Sequence, residues 1–279
     1  MPHIIPEMPS VTIERFGRDS LNWLVAFGDF WRFVGHVFAW LRAGLSRKTL
    51  RLMPPLMYEI GVKSMPVVAI TGAFIGMVLA VEAYNQFKSI GQENRLGAII
   101  NVSVVKQIGP VLAAVMLAGR VGGALTAELG TMNVTEQIDA LRVMGADPIR
   151  YLVVPRFLVC ILLTPILTIY SDILGVLGGW LVSVHGFGIP NEPYWHYAHA
   201  GVGVWAIMEG ISKSVFFGGA IGLIACYKGF TCGAGASGVG RACMESFVYA
   251  FIAIIVFNFF FARLATQWYV ALYGLKSLF

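Results

Sequence analysis

Residues 62–84 read VKSMPVVAITGAFIGMVLAVEAY, a stretch in which Lys63 and Glu82 are the only charged residues. About 20 consecutive, mostly apolar residues in a helix are enough to cross the roughly 30 Å hydrocarbon core of a bilayer. The stretch is therefore predicted to form a transmembrane helix, and it sets the class of the whole chain.

Four more stretches of this kind follow. They cover residues 97–117 and beyond, 152–184, 203–226 and 247–269. Hydrophobic residues make up 57% of the chain and charged residues 13%, against about 25% charged residues in a soluble domain. The composition excludes a soluble globular protein and predicts an all-α integral membrane protein with five transmembrane helices. The net charge of +5 does not indicate a nucleic-acid partner, because the basic residues cluster between the apolar spans.

The sequence before the first span indicates two further segments of the chain. We divide the chain into a mobile tail at 1–20, an interfacial amphipathic helix at 21–50 and a five-span domain at 51–279. An apolar stripe at helical spacing supports the second part: Leu24, Phe27, Trp31, Val34, Phe38 and Leu41. Such a stripe, with Trp and Phe beside Arg, is typical of a helix that lies in the membrane surface. A short soluble helix packed on the rest of the protein is the alternative.

The lysine and arginine positions predict the orientation in the membrane. If the N-terminus is cytoplasmic, twelve of these residues fall in cytoplasmic segments and three, Lys88, Arg95 and Lys276, fall on the other side. Loops on the cytoplasmic side carry an excess of lysine and arginine. We therefore expect a cytoplasmic N-terminus and a C-terminus on the opposite side.

Each of the first four spans contains a GxxxG pair. The pairs are Gly72/Gly76, Gly119/Gly123, Gly175/Gly179 and Gly218/Gly222. Small residues one turn apart allow two helix backbones to approach closely. Although a single pair is weak evidence, four pairs in four spans predict a tightly packed bundle. The fifth span lacks the pair, and its bulky face is free to meet lipid or another subunit.

A short polar segment separates spans two and three, with the sequence TMNVTEQIDALRVMGADPIR at residues 131–150. Asn133 and Glu136 have the spacing of a capping box, and Gly145 is a natural helix stop. The segment therefore predicts a short helix over residues 134–144. Asp147 and the following proline are expected to begin the next helix.

This short helix is predicted to contact a soluble partner. Its apolar stripe is Val134, Ile138, Leu141 and Met144. A short helix with an apolar stripe and charged flanks suits a groove on another protein, although it could instead pack on its own bundle. The predicted coupling residues are Glu136, Gln137, Ile138, Asp139, Leu141, Arg142 and Met144.

Two lysines lie deep in the predicted spans. Lys106 is about 14 Å and Lys213 about 15 Å from the same end of the bundle, at 1.5 Å per helical residue. An ionisable residue at this depth is costly and is a functional candidate. Lys213 could instead pair with Glu209 one turn earlier, whereas Lys106 has no such partner on its own helix. We predict a lipid site at Lys106, Gln107 and Lys213, with Leu79 and Glu82 of the first span.

No nucleotide site or catalytic centre is evident. GAGASG at residues 233–238 matches GxGxxG, but it follows a predicted span rather than a strand, and the chain contains no GxxxxGK[ST]. Any ATP must therefore be bound by another chain, and no cofactor or metal is expected. The alternative function is that of a membrane-embedded lipid acyl- or phosphotransferase. Such an enzyme would need a nucleophile, a general base or a set of metal ligands near one face of the membrane, and the sequence shows none. A pure scaffold would not explain two lysines deep in the bilayer.

Five segments resemble the MlaE/YrbE permease family. They are AGRVGGALTAELGTMNVTEQIDALRVMGADPIRYLVVPR at 118–156, GAFIGMVL at 72–79, QIGPVLAA at 107–114, KSVFFG at 213–218 and GVGRA at 238–242. The resemblance implies an ABC transporter permease in the bacterial inner membrane, with a periplasmic C-terminus. It also implies a homodimer, a cytoplasmic ABC ATPase bound at the short helix, a periplasmic MCE-domain protein, and phospholipid in a cavity between the copies. Where the family usually carries a glutamate after the basic residue, this chain has Gln107, which leaves Lys106 freer to meet a phosphate.

Overall fold

The computed structural model describes residues 10–44 and 47–273 of the chain. Its α-helices are, in chain order, α1 (Ser10–Gly44), α2 (Arg47–Ile60), α3 (Met65–Ser89), α4 (Leu96–Ser103), α5 (Gly109–Leu117), α6 (Gly123–Val134), α7 (Gln137–Val143), α8 (Val154–Leu181), α9 (Asn191–Gly201), α10 (Val204–Phe230) and α11 (Gly235–Tyr273).

Among the residues that the structure describes, five helical stretches are long and apolar enough to cross a membrane, which confirms the predicted number of spans. They cover Arg51–Ser89, Glu93–Val134, Ile149–Gly186, Val204–Phe230 and Gly235–Ala271. Span two consists of α4, α5 and α6, joined by π-helical segments at Val104–Ile108 and Ala118–Gly122. A π-helical segment widens the helix by one residue and is often found at functional sites. The first of these segments contains Lys106.

The glycine pairs of spans one, three and four bring backbones together as predicted. A Cβ on Gly76 would overlap the carbonyl oxygen of Gly175, and one on Gly218 would lie 2.5 Å from the carbonyl oxygen of Cys160. The pair in span two behaves differently, because a Cβ on Gly119 would come no closer than 3.5 Å to Phe247, and one on Gly123 would meet nothing within 4 Å. Spans one and four are thus held against span three by close backbone contact.

The fifth span lies at the outside of the described bundle. In its most apolar window 11% of the residues are buried, compared with 61% for span three. Phe259, Phe260 and Trp268 are among its exposed large side chains. This wide apolar face is available to lipid or to another subunit.

Helix α1 begins at Ser10, so residues 10–20 of the predicted tail are helical, while residues 1–9 lie outside the described residues. Its contacts with the bundle include only part of the predicted stripe. Val34 and Val37 are buried, and Phe33 packs on Tyr227 at 5.5 Å between ring centroids. Leu24, Phe27, Trp31 and Phe38 remain exposed. The observed helix covers Ser10–Gly44 rather than residues 21–50, and its position in the membrane surface stays a prediction.

The connection between spans two and three differs from its predicted form at the start. Val134 belongs to α6, and Glu136 adopts a left-handed backbone conformation with φ of 59° and makes no capping hydrogen bond. The predicted capping box is therefore wrong. The Asn133 amide instead points to Cys232 Sγ at 3.7 Å, because α6 continues to Val134 and packs beside the end of α10.

The end of the same segment is as predicted. Gly145 has φ of +73°, its amide donates to the Arg142 carbonyl at 3.0 Å, and the Ala146 amide donates to the Leu141 carbonyl at 3.0 Å. These two bonds form a Schellman motif that closes α7. The Asp147 carboxylate then accepts the Ile149 amide at 2.9 Å, which begins span three.

Candidate functional site

Four polar side chains meet inside the bundle where spans two and four cross. Lys213 Nζ lies 2.7 Å from Glu209 Oε1 and donates to Gln107 Oε1 at 2.7 Å. Lys106 Nζ lies 3.5 Å from Glu209 Oε2. We call Lys106, Gln107, Glu209 and Lys213 the charge cluster.

Backbone chemistry in span two explains why Lys213 can be fully buried. Proline lacks an amide hydrogen, so Pro110 cannot donate to the carbonyl four residues earlier. That carbonyl belongs to Lys106, and Lys213 Nζ donates to it at 3.3 Å. Because Lys213 also bonds Gln107 and Glu209, all three of its hydrogens have acceptors. A buried cation of this kind needs such complete pairing.

Lys106 has no counter-ion on its own helix, but the structure provides one from elsewhere in the bundle. Its partner is Glu209, which comes from another span rather than from its own helix. The alternative considered for Lys213, pairing with Glu209, is present as well, so one carboxylate serves two ammonium groups. The side chain of Glu209 is 4% exposed and that of Lys213 is 0% exposed, whereas 40% of Lys106 is exposed. The surplus positive charge of the cluster is therefore presented by Lys106.

An apolar groove borders the charge cluster between α10 and α11. Its volume is about 510 Å³. Its lining residues are Trp205, Met208, Glu209, Ser212, Phe261, Leu264, Ala265 and Trp268. The walls are almost entirely hydrocarbon and aromatic, with Glu209 contributing the charged atoms. Lys106 does not line the groove, and it borders the groove through its ion pair with Glu209.

The other two predicted lipid-site residues lie on α3. Leu79 packs with the cluster formed by Leu96, Ile100 and Tyr194. Glu82 is exposed and forms no hydrogen bond or ion pair within the described residues. The structure therefore brings together Lys106, Gln107 and Lys213, and adds Glu209 to them, but it does not join Leu79 or Glu82 to the same contacts.

The predicted coupling residues divide between two faces of α7. Ile138 is buried against the bundle, with 1% exposure, and Leu141 lines a cavity of this chain. The exposed members are Glu136, Gln137, Asp139, Arg142 and Met144. Val143, which the stripe did not include, is 88% exposed. Arg142 Nη1 pairs with Asp139 Oδ1 at 2.6 Å on this outer face.

A further ion pair lies near the α7 end of the bundle. Arg156 is almost fully buried and pairs with Glu128 at 2.6 Å, while Arg120 Nη1 donates to Ser64 Oγ at 2.5 Å. Within the described residues, no group of three or more His, Cys, Asp and Glu side chains is placed to hold a metal ion.

Comparison with known proteins gives a consistent result. Residues 55–264 match the family described as Permease MlaE. The intermembrane phospholipid transport system permease protein MlaE of Haemophilus influenzae is 33% identical over 250 residues, which cover 86% of this chain and 95% of that protein. A probable ABC transporter permease of Synechocystis is 36% identical over 257 residues, covering 91% and 96%. One from Rickettsia typhi is 39% identical over 205 residues, covering 74% and 79%.

Proposed function

The chain belongs to the MlaE permease family, and we propose from this membership and the charge cluster that it carries phospholipid through the outer half of its bundle. It is a multi-pass membrane protein and the permease subunit of a lipid ABC transporter. It is a transporter subunit rather than an enzyme, and an ATPase chain partners it.

The observation that carries the lipid site is the combination of cluster and groove. The two lysines and one glutamate leave a net charge of +1, and half-exposed Lys106 presents it. A phosphate accepts strong, charge-assisted hydrogen bonds from an ammonium group. The groove beside it is apolar, so an acyl chain would lose contact with water there and gain about 0.8 kcal/mol per buried CH₂. Phospholipid is the ligand class that supplies both parts in one molecule.

The finer assembly is also part of the proposal. Two copies of the chain form the membrane unit, with the N-terminus cytoplasmic and the C-terminus periplasmic in the inner membrane. The exposed apolar face of α11 supports a contact with a second copy, since large exposed patches mark interaction surfaces. A periplasmic MCE-domain protein receives or delivers the lipid at the end of the bundle that carries α9.

The ATPase is proposed to bind at α7. Val143 and Met144 are 88% and 70% exposed, and they lie beside the Asp139–Arg142 pair. Exposed apolar side chains at the end of two spans, flanked by charges, suit a groove on a soluble partner. Movement of α7 would reach the bundle through Ile138, because that side chain is packed in it.

The test is reconstitution of the purified permease with its ATPase in proteoliposomes that contain fluorescent phospholipid. We expect the two proteins to purify together and to move lipid only when ATP is present. A permease that purifies without an ATPase, or lipid movement that does not depend on ATP, would contradict the proposal.

A further inference from the structure

A second and larger cavity lies at the α7 end of the bundle, far along span two from the charge cluster. Its volume is about 830 Å³, which is within the range of about 300–1,000 Å³ of small-molecule sites. Helix α2, α6, α7 and the start of span three form its walls. The lining residues are Leu52, Pro55, Leu56, Glu59, Ile60, Arg120, Val121, Ala124, Leu125, Glu128, Leu141, Ala146, Tyr151, Leu152 and Arg156.

The charged groups of this cavity are balanced, in contrast to those of the charge cluster. Two arginines and two glutamates line it. Arg156 is held by Glu128 Oε1 at 2.6 Å and by the Leu152 carbonyl at 2.7 Å. Arg120 uses one of its donors on Ser64. A guanidinium has five N–H donors, so Arg120 keeps donors for a ligand.

The two carboxylates also keep free acceptors. Glu128 uses Oε1 on Arg156 and its side chain is 50% exposed. Glu59 uses Oε1 on Lys63 and its side chain is 58% exposed. Each carboxylate therefore has a second oxygen to offer. The cavity combines free cationic donors, free anionic acceptors and walls of leucine and isoleucine.

We propose that this cavity binds a phospholipid with a zwitterionic headgroup that ends in a primary ammonium, such as phosphatidylethanolamine. The phosphate accepts from Arg120, and the ammonium donates to Glu59 and Glu128. The chains lie against Leu52, Leu56 and Leu125. An anionic lipid fits less well, because it would leave both carboxylates without a new counter-ion while adding negative charge.

This site is separate from the one proposed for transport and has a different consequence. Leu141 of α7 is part of the wall, so a bound lipid contacts the helix proposed to meet the ATPase. A lipid that makes different contacts in two positions of α7 would shift the balance between them.

The experiment places a photoreactive amino acid at Ala124, which lines the cavity, in the full-length permease–ATPase complex. Nanodiscs contain equal amounts of phosphatidylethanolamine and phosphatidylglycerol, and mass spectrometry identifies the crosslinked lipid. The same probe at Ile70, whose side chain is 61% exposed on span one, reports the composition of the surrounding lipid. We expect the ratio of crosslinked phosphatidylethanolamine to crosslinked phosphatidylglycerol to be higher at Ala124 than at Ile70.

Two variants identify the groups responsible. Arg120→Gln removes a charge-assisted hydrogen bond and should lower total capture at Ala124 by about tenfold. Arg95→Gln, at an exposed arginine that does not line the cavity, should leave capture unchanged. Glu59→Gln, at an exposed position, removes one of the two carboxylates and should lower the preference for phosphatidylethanolamine while preserving capture of phosphatidylglycerol.

Three results would overturn the proposal. They are equal ratios at Ala124 and Ile70, a phosphatidylethanolamine preference in Glu59→Gln as large as in the parent, and crosslinking of Ala124 to the ATPase instead of lipid. None of these results bears on the charge cluster, which is tested separately by transport.

Discussion

Glu209 and Lys213 form a 2.7 Å ion pair in which both side chains are almost completely removed from the surface of the bundle. The two residues are one helical turn apart on α10, so the pair is set by the sequence of that helix. Lys106 reaches the same carboxylate from span two. The charge cluster consequently links two spans as well as presenting a positive charge.

Glu209→Ala should destabilise the protein strongly. Removing one partner of a buried pair leaves an uncompensated charge and typically costs about 3–5 kcal/mol. The double variant Glu209→Leu/Lys213→Met removes both charges and should recover most of that loss. Thermal unfolding of the purified protein in detergent measures both. If Glu209→Ala unfolds at the same temperature as the parent, then leaving the Lys213 charge unpaired does not destabilise the protein, and the prediction is wrong.

Gly76→Ala should also destabilise the bundle, for a steric reason. The added Cβ overlaps the carbonyl oxygen of Gly175 and would push spans one and three apart. Gly123→Ala is the matched control, because its added Cβ meets nothing within 4 Å. Alanine is favoured over glycine inside a helix by about 0.8–1.0 kcal/mol, so the control should be neutral or stabilising. Equal thermal shifts in the two variants would contradict the packing described here.

The number of spans could be predicted from the sequence, and the pairing of spans could not. A long apolar stretch identifies itself without reference to the rest of the chain. Whether Gly76 meets Gly175 depends on how two helices are rotated, and a single sequence carries little information on that. The four glycine pairs looked alike, yet the pair at Gly119 and Gly123 makes no close backbone contact.

In the candidate site, too, a contact within one helix could be predicted from the sequence, whereas a contact between two spans could not. The Lys213–Glu209 pair was foreseeable because i,i+4 residues share a helix face. The contact of Lys106 with Glu209 was not, since it depends on which turn of α10 faces span two. One signal was present in the sequence: Pro110 leaves the Lys106 carbonyl without its helical donor, and a nearby cation was a plausible replacement.

Between spans two and three, the end of α7 could be predicted from the sequence, whereas its first residue could not. Gly145 closes α7 because its positive φ disfavours other residues. Asn133 and Glu136 had the spacing of a capping box, but packing against Cys232 directs the Asn133 side chain elsewhere. Local spacing was overridden by a contact between residues far apart in the chain.

Val143→Asp should weaken ATPase binding. The side chain is 88% exposed, so the change should leave the bundle folded while placing a charge on the apolar part of the proposed contact. If the ATPase buries Val143 in the complex, removing that contact costs about 1.5–3 kcal/mol of binding free energy. This cost corresponds to a tenfold or greater loss of affinity. Co-purification of the ATPase from membranes is the measurement.

The control for this variant is Val204→Asp, which makes the same change at an exposed valine, 78% accessible, at the start of α10. An aspartate is tolerated at a helix N-terminus, and this position is at the other end of the bundle. Normal ATPase recovery with Val143→Asp would show that α7 is not the docking helix. The contact should then be sought in the connection between α10 and α11.

In the proposed transport mechanism, the positive charge of Lys106 holds a phospholipid phosphate beside the apolar groove. ATP-dependent lipid movement by the reconstituted permease–ATPase complex tests it, with Lys106→Gln compared with Lys88→Gln, a change at an exposed lysine away from the charge cluster. Since a hydrogen bond to a charged group contributes about 1.5–3 kcal/mol, we expect Lys106→Gln to slow transport by tenfold or more while the ATPase still co-purifies. Transport by Lys106→Gln at the rate of Lys88→Gln would contradict the claim.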